Sequence, residues 1–264
     1  MNRIVTLLTD FGTSDYYVGA VRGVILSVDP TITIVDITHE VPPGGVRYGA
    51  FVLAHASRWF PKGTVHCVVV DPGVGTQRRP IVVQSDKGLF VGPDNGVLSL
   101  AIEGVQGAWV IERFMVPEGA GDTFHGRDIF APVAAKLAMG MPPDEVGSRV
   151  DDFQRMEWPR AGRDAKGQFR GKVLFEDRFG NLITDVHSED LGPGQWQVRV
   201  AGRRAPVART FGDVDVGAVV AYPGSAGYLE VAVRNGSASE WLGVGRGAKV
   251  VVEPLGDSLA ERGR

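Results

Sequence analysis

A chain of 264 residues has room for one large domain or two of ordinary size, and two are expected. Hydrophobic residues make up 44%, charged residues 22% and the formal net charge is −3, which excludes an electrostatic case for nucleic acid or an anionic membrane and points to a small-molecule partner. The single cysteine, Cys67, rules out a disulfide framework and a cysteine-based metal site; with no run apolar enough to span a bilayer and no leader pattern at Met1-Asn2-Arg3, a cytoplasmic address is expected.

Ile4–Thr9 reads as a short buried strand ending in Asp10-Phe11-Gly12, a carboxylate handed to a glycine turn. Val18, Val21, Ile25 and Val28 recur at helical spacing, so Tyr17–Val28 is expected to be a helix closed by Asp29-Pro30. A strand over 32–37, a helix over 46–60 and a strand over 65–70 follow. The order β-α-β-α-β predicts a mainly parallel sheet with right-handed crossovers. The run Val68-Val69-Val70 stops abruptly at Asp71-Pro72-Gly73-Val74-Gly75-Thr76-Gln77-Arg78-Arg79. Parallel strands buried on both faces read as such β-branched runs, and ligands gather beyond their carboxyl ends. Asp71 therefore stands where an open α/β sheet keeps its site, with Arg78 or Arg79 able to return toward it, although the same residues also suit plain turn chemistry. Cys67, inside the run, reads as a small buried hydrophobe rather than a nucleophile.

Residues 80–85 and 88–91 flank Asp86-Lys87-Gly88 as a hairpin would, so some antiparallel pairing is expected. An apolar segment opened by Pro93-Asp94-Asn95-Gly96 runs to Ile102, and 108–111 reads as a further strand. Asp122-Thr123-Phe124-His125-Gly126-Arg127-Asp128 then precedes helical spacing over 129–139, setting an aromatic, an imidazole and a glycine at a helix entrance. Periodicity fades between 147 and 170, which divides the chain into an N-terminal α/β domain at 1–155, a linker at 156–170 and a C-terminal domain at 171–264. There, short strands at 171–175, 182–186, Trp196–Val200, 218–222, Tyr228–Val233 and 249–252 suit a small barrel or sandwich with little helix. Asp177-Arg178-Phe179-Gly180-Asn181 and Arg234-Asn235-Gly236-Ser237-Ala238-Ser239 are loops with polar groups suited to a heterocycle. His39, His55, His66 and His187 lack the spacing of a metal site and read as structural or solvated.

With Thr9-Asp10-Phe11-Gly12, the Asp71-to-Arg78 loop, Thr123-Phe124-His125-Gly126-Arg127-Asp128, Phe179-Gly180-Asn181 and Asn235-Gly236-Ser237-Ala238 in that order, the chain resembles the S-adenosylmethionine (SAM) hydroxide adenosyltransferases, water-using relatives of fluorinase and chlorinase. The resemblance runs over about residues 4–254. It implies an α/β domain joined to a C-terminal β-barrel, and a homotrimer whose sites lie where the N-terminal domain of one subunit meets the C-terminal domain of a neighbour. It also implies a water-handling triad at Asp71, Arg78 and His125, a ribose-binding carboxylate at Asp10 and a pocket wall at Phe124. Asp177, Phe179 and Asn181 match the loop holding the methionine end and the adenine face, Asn235 and Ser237 the adenine edge, and Ser225 a contact to the amino-acid portion. Read without the resemblance, Asp10 equally suits a turn or helix cap, and His125 a satisfied histidine or a cap.

The implied reaction is attack of water on the ribose C5' of SAM, giving adenosine and L-methionine. Its leaving group is a neutral thioether, so SAM is the substrate and no metal or redox cofactor is demanded. Two rivals remain. Halogenating relatives carry an aromatic phenol at the position of Asp71, a threonine near Val74 and a serine at Gly126, all lacking here; a carboxylate would also repel a halide nucleophile. A protein that binds adenosine or SAM without turnover is the other, and for it an intact Asp71, Arg78 and His125 has no evident use.

Overall fold

The computed structural model describes residues 3–112 and 121–255, which fall into two units, Met1–Glu157 and Trp158–Arg264. The leader reading at Met1-Asn2 and the tail 256–264 of the expected second domain lie outside the described residues. The strands of the first unit are β1 (Ile4–Thr9), β2 (Thr33–Thr38), β3 (Thr64–Val69), β4 (Pro80–Gln84), β5 (Gly88–Pro93), β6 (Gly107–Val110) and β7 (Arg149–Val150). They form one sheet in the order β2-β1-β3-β5-β4-β6-β7. The pairs β1/β2, β1/β3 and β3/β5 are parallel, whereas β4/β5, β4/β6 and β6/β7 are antiparallel. The sheet is therefore mixed rather than mainly parallel. The cause is the tight turn at Asp86-Lys87, because a connection that short can only reverse the chain.

Three helices cover this sheet. α1 (Tyr17–Val28) buries Val18, Val21 and Ile25 and stops where the Asp29 carboxylate turns back to accept from the Thr31 amide and hydroxyl. α2 (Val46–Ser57) ends three residues before its apolar pattern does. Pro61 restricts Phe60, and the Trp59 and Phe60 amides tighten onto Ala56 and Ser57 instead of continuing the helix. α3 (Ala131–Ala138) is preceded by a π-helical turn, Gly126–Phe130, where a plain α-helix over 129–139 is expected from the spacing. Pro132 has no amide to bond four residues back, which suits a widened first turn. α1 and α3 share one core cluster with Val65, Cys67 and Val69, while α2 packs with Val68 and Val70 on the other face. β3 is thus buried on both sides, and burial pushes the Cys67 thiol up to about 12, leaving it a core side chain.

His66 lies in β3 beside Thr6, with Nδ1 2.8 Å from the hydroxyl and its ring stacked on Phe90. Burial holds its pKa down at about 4. Because the folded-state value lies below the ordinary one, this contribution is complete above about pH 6.5 and is lost as the pH falls toward 4, on the order of 3 kcal/mol in all. Urea unfolding between pH 7 and 4 should show stability falling more steeply for the parent than for His66→Gln; parallel slopes would contradict the assignment.

The second unit is built from β8 (Phe169–Glu176), β9 (Leu182–His187), β10 (Trp196–Val200), β11 (Arg203–Pro206), β12 (Val219–Pro223), β13 (Tyr228–Val233) and β14 (Lys249–Pro254). All neighbours in the order β11-β10-β14-β8-β9-β13-β12 run antiparallel. A bridge between Val207 and Ala221 draws the two outer strands together around a core of Val173, Leu182, Val198, Leu229 and Val231. A short helix, α4 (Ala238–Leu242), has Ser237 as its N-cap and Gly243 in a left-handed C-cap.

Candidate active site

The parallel strands β1 and β3 are neighbours in register, Thr9 opposite Val69, so the loops that follow them leave from the same edge of the sheet, one with Asp10 immediately after β1 and the other with Asp71 one residue later, past the buried Val70. The chain runs from β1 to β2 on one side and on to β3 on the other. Asp10 and Asp71 therefore flank the topological switch point, the place where open α/β sheets bind ligands. A cavity of about 320 Å³ opens there, lined by Asp10, Phe11, Tyr16, Tyr17, Val69, Asp71, Val74, Thr123, Phe124, His125 and Gly126.

Arg78 is not on the cavity wall; it stands behind it. Its Nε donates to Asp71 Oδ1 at 2.8 Å, its Nη2 reaches Asp71 Oδ2, and the same Nη2 lies 2.8 Å from His125 Nδ1. The guanidinium also sits over the Phe130 ring, while Nη1 is buried with no hydrogen-bond partner. The side chains of both Arg78 and Asp71 are over nine-tenths buried. Arg79, the alternative partner, turns away and binds Asp94 and Asp152.

An arginine nitrogen only donates, so His125 Nδ1 must accept and the ring proton resides on Nε2. Burial, and then the Arg78 charge, hold the His125 pKa below its ordinary value, which keeps the ring neutral near pH 7. Asp10 behaves in the opposite sense. Burial raises its pKa, the Gly44 amide donating to Oδ2 at 2.8 Å offsets part of this, and the Asp71 charge adds to the rise. Two carboxylates facing one small cavity favour a cationic or hydroxyl-bearing ligand.

The aromatic wall goes beyond the sequence reading. Phe124 packs edge-on against Phe11, Tyr16 and Tyr17, with Arg127 stacked over it. Tyr16 and Tyr17 follow the Asp10 turn directly; two adjacent aromatics at a helix entrance were the available signal. Gly126 is tightly enclosed, since a Cβ there would lie 3.2 Å from both Phe11 and Val69.

In the second unit, Phe179, Asn181, Phe211, Tyr222, Ala232, Val233, Asn235 and Gly236 line a pocket of about 500 Å³. Phe179 and Phe211 are 77% and 53% exposed, so their ring faces are open to a flat partner. Of the expected binders, Phe179, Asn181 and Asn235 reach this pocket. Asp177 instead ties its own loop, accepting from the Phe179 and Asn181 amides and the Asn181 side chain. Ser237 caps α4 by accepting from the Glu240 amide. Gly180, at φ +79°, lets these two loops touch, for a Cβ there would overlap the Ser237 hydroxyl. Ser225 is exposed and lines neither pocket. Among the described residues, no group of three or more His, Cys, Asp or Glu side chains could hold a metal ion. None of their helices is long and apolar enough to cross a membrane.

Residues 5–147 match the family model described as the SAM hydroxide adenosyltransferase N-terminal domain, and residues 171–251 match that of the C-terminal domain. The chain is 43% identical to (R)-S-adenosyl-L-methionine hydrolase of Thermus thermophilus, over 94% of this chain and 98% of that protein. Its identity to Fluorinase of an Actinoplanes species is 31%, over 88% and 91% respectively. The crystal structure of an uncharacterized conserved protein from Thermotoga maritima superposes with a TM-score of 0.87 at 40% identity, covering 94% of this chain and 99% of the other.

Proposed function

We propose that this chain, which belongs to the SAM hydroxide adenosyltransferase family, is an enzyme that hydrolyses SAM at ribose C5' to adenosine and L-methionine. The observation that carries the chemistry is the bridge Arg78 makes between Asp71 and His125 at the rim of β3. With both Asp71 oxygens already accepting from Arg78, each retains a lone pair for a water proton, whereas His125 has only its Nε2–H left to offer. Water is thus held between a donor, His125, and an acceptor, Asp71, with one oxygen lone pair directed at C5'. As the new O–C5' bond forms, the C5'–S bond breaks with its electron pair going to sulfur, and the proton passes to Asp71. Methionine leaves as a neutral thioether, so nothing need protonate it. Orientation of this kind can remove about 7–11 kcal/mol from a barrier, and the base adds about 10²–10⁴ in rate. Arg78 holds both groups and offsets the charge of Asp71, rather than touching the water.

Asp10 serves as the acceptor for the ribose diol, and Phe124 with its aromatic neighbours walls the sugar and sulfonium. The pocket of Phe179, Asn181 and Asn235 suits adenine. Asp177 and Ser237 shape that pocket from behind, and Ser225 keeps only its implied contact to the amino-acid portion. This reading includes a C-terminal β-barrel and a homotrimer in which a neighbouring copy supplies the adenine pocket. Halogenation is disfavoured on two counts. The Asp71 carboxylate faces the cavity, and at Gly126 even a serine Cβ would crowd Phe11 and Val69.

Incubation with SAM in heavy-oxygen water, with and without halide, tests the reading. Adenosine carrying the label at its 5'-hydroxyl is expected in both; a halonucleoside, or SAM left intact, would overturn it.

A further inference from the structure

Behind Asp10 lies a polar chain that the reaction does not use. Thr9 and His39 are both buried, and the Thr9 hydroxyl lies 2.9 Å from His39 Nδ1. The Phe11 amide donates to that same hydroxyl oxygen at 3.3 Å, and the hydroxyl proton is free to be given to Nδ1 of a neutral His39 ring. In that tautomer the ring proton is on Nε2, which is buried 3.2 Å from Asp36 Oδ1 but outside hydrogen-bond geometry, and Asp36 is ion-paired with Arg22. Burial and the nearby Arg22 charge hold the His39 pKa below its ordinary value against Glu40, so the neutral ring this chain requires is the stable one. The backbone makes the same connection. The Gly12 amide donates to the His39 carbonyl at 2.8 Å, and the Val41 amide to the Thr9 carbonyl at 3.4 Å. The loop after β2 therefore grips the turn that carries Asp10 on both sides.

We propose that His39 is a positioning residue for Asp10: through the Thr9 hydroxyl it fixes the turn that presents the carboxylate to the ribose diol. The inference rests on the reading of Asp10 as the ribose acceptor. His39 does not line the cavity, so its effect should fall on substrate affinity and not on the chemical step.

Adenosine binding by calorimetry, with kcat and KM for SAM, tests this on His39→Ala, His39→Asn, which keeps an acceptor near the place of Nδ1, and Thr9→Val, which keeps the shape of threonine without its hydroxyl. His39→Ala and Thr9→Val should each weaken adenosine binding and raise KM by about tenfold with kcat preserved, the size of one lost hydrogen bond. His39→Asn should recover most of the affinity, and in an Asp10→Ala background neither loss should appear. If His39→Ala does not fold, Thr9→Val decides. Parent-like affinity in the folded variants, or the full loss persisting without Asp10, would overturn the inference. A parent protein that neither bound adenosine nor consumed SAM would instead overturn the reading beneath it.

Discussion

Asp71→Asn is expected to lower kcat by about 10²–10⁴ while leaving adenosine affinity at the parent value. Asparagine keeps the shape of aspartate and one acceptor oxygen, so Arg78 and His125 retain most of their geometry. It cannot take up the proton that water sheds as the O–C5' bond forms. The tautomer imposed on His125 leaves that ring with no free acceptor, and on the proposed reading Asp10 is engaged by the ribose diol, so neither takes over from the carboxylate. On the proposed reading the ribose diol and adenine are held by Asp10 and the Phe179 pocket, and asparagine at 71 keeps a hydrogen-bonding group for the 5'-oxygen, which is why binding should survive. Steady-state turnover of SAM alongside adenosine calorimetry separates the two, and a kcat equal to the parent's would remove Asp71 from the chemistry.

Arg78→Met should cost both activity and stability. It leaves His125 Nδ1 and the Asp71 carboxylate, whose side chain is over nine-tenths buried, without their donor. Breaking a buried ion pair from one side costs about 3–5 kcal/mol, which for a chain of this size lowers the melting temperature by about 10 °C. The companion change Asp71→Leu should restore most of that loss, because two apolar side chains replace the pair without leaving an unpaired charge, yet activity should stay absent. Thermal unfolding of the single and double variants checks this. A single variant that melts with the parent would mean that Arg78 is not holding the pair.

Much of the frame was legible because its signals are local. The valine run before Asp71, the apolar stripe of Tyr17–Val28 and the Asp29-Pro30 stop each depend on neighbours a few residues away, and the elements appear where these features put them. The hairpin of β4 and β5 was legible from its turn, but the placement of β5 beside β3 and of β4 beside β6 was not, since pairing between distant segments leaves no mark in either alone. Nor was β11, an edge strand of Arg203-Arg204-Ala205-Pro206 in which only Ala205 is buried. At the site, the two carboxylates could be read from strand ends that stop in turns. The choice of Arg78 over Arg79 came only from the family resemblance and not from the loop itself, because it is made by His125, forty-seven positions further on, and by Asp94 drawing Arg79 the other way. His39 read as structural or solvated for the same reason, as its connection to the turn of Asp10 runs through a threonine thirty positions earlier.

In the proposed mechanism three side chains meet at one carbon, so the most direct measurement is a crystal structure with adenosine bound. The ribose C5' should lie above the Asp71, Arg78 and His125 cluster, with Asp71 and His125 Nε2 each about 3 Å from a single water or the 5'-oxygen, and the ribose diol on Asp10. A nucleoside seated with C5' turned away from Asp71, or with its ribose off Asp10, would contradict it.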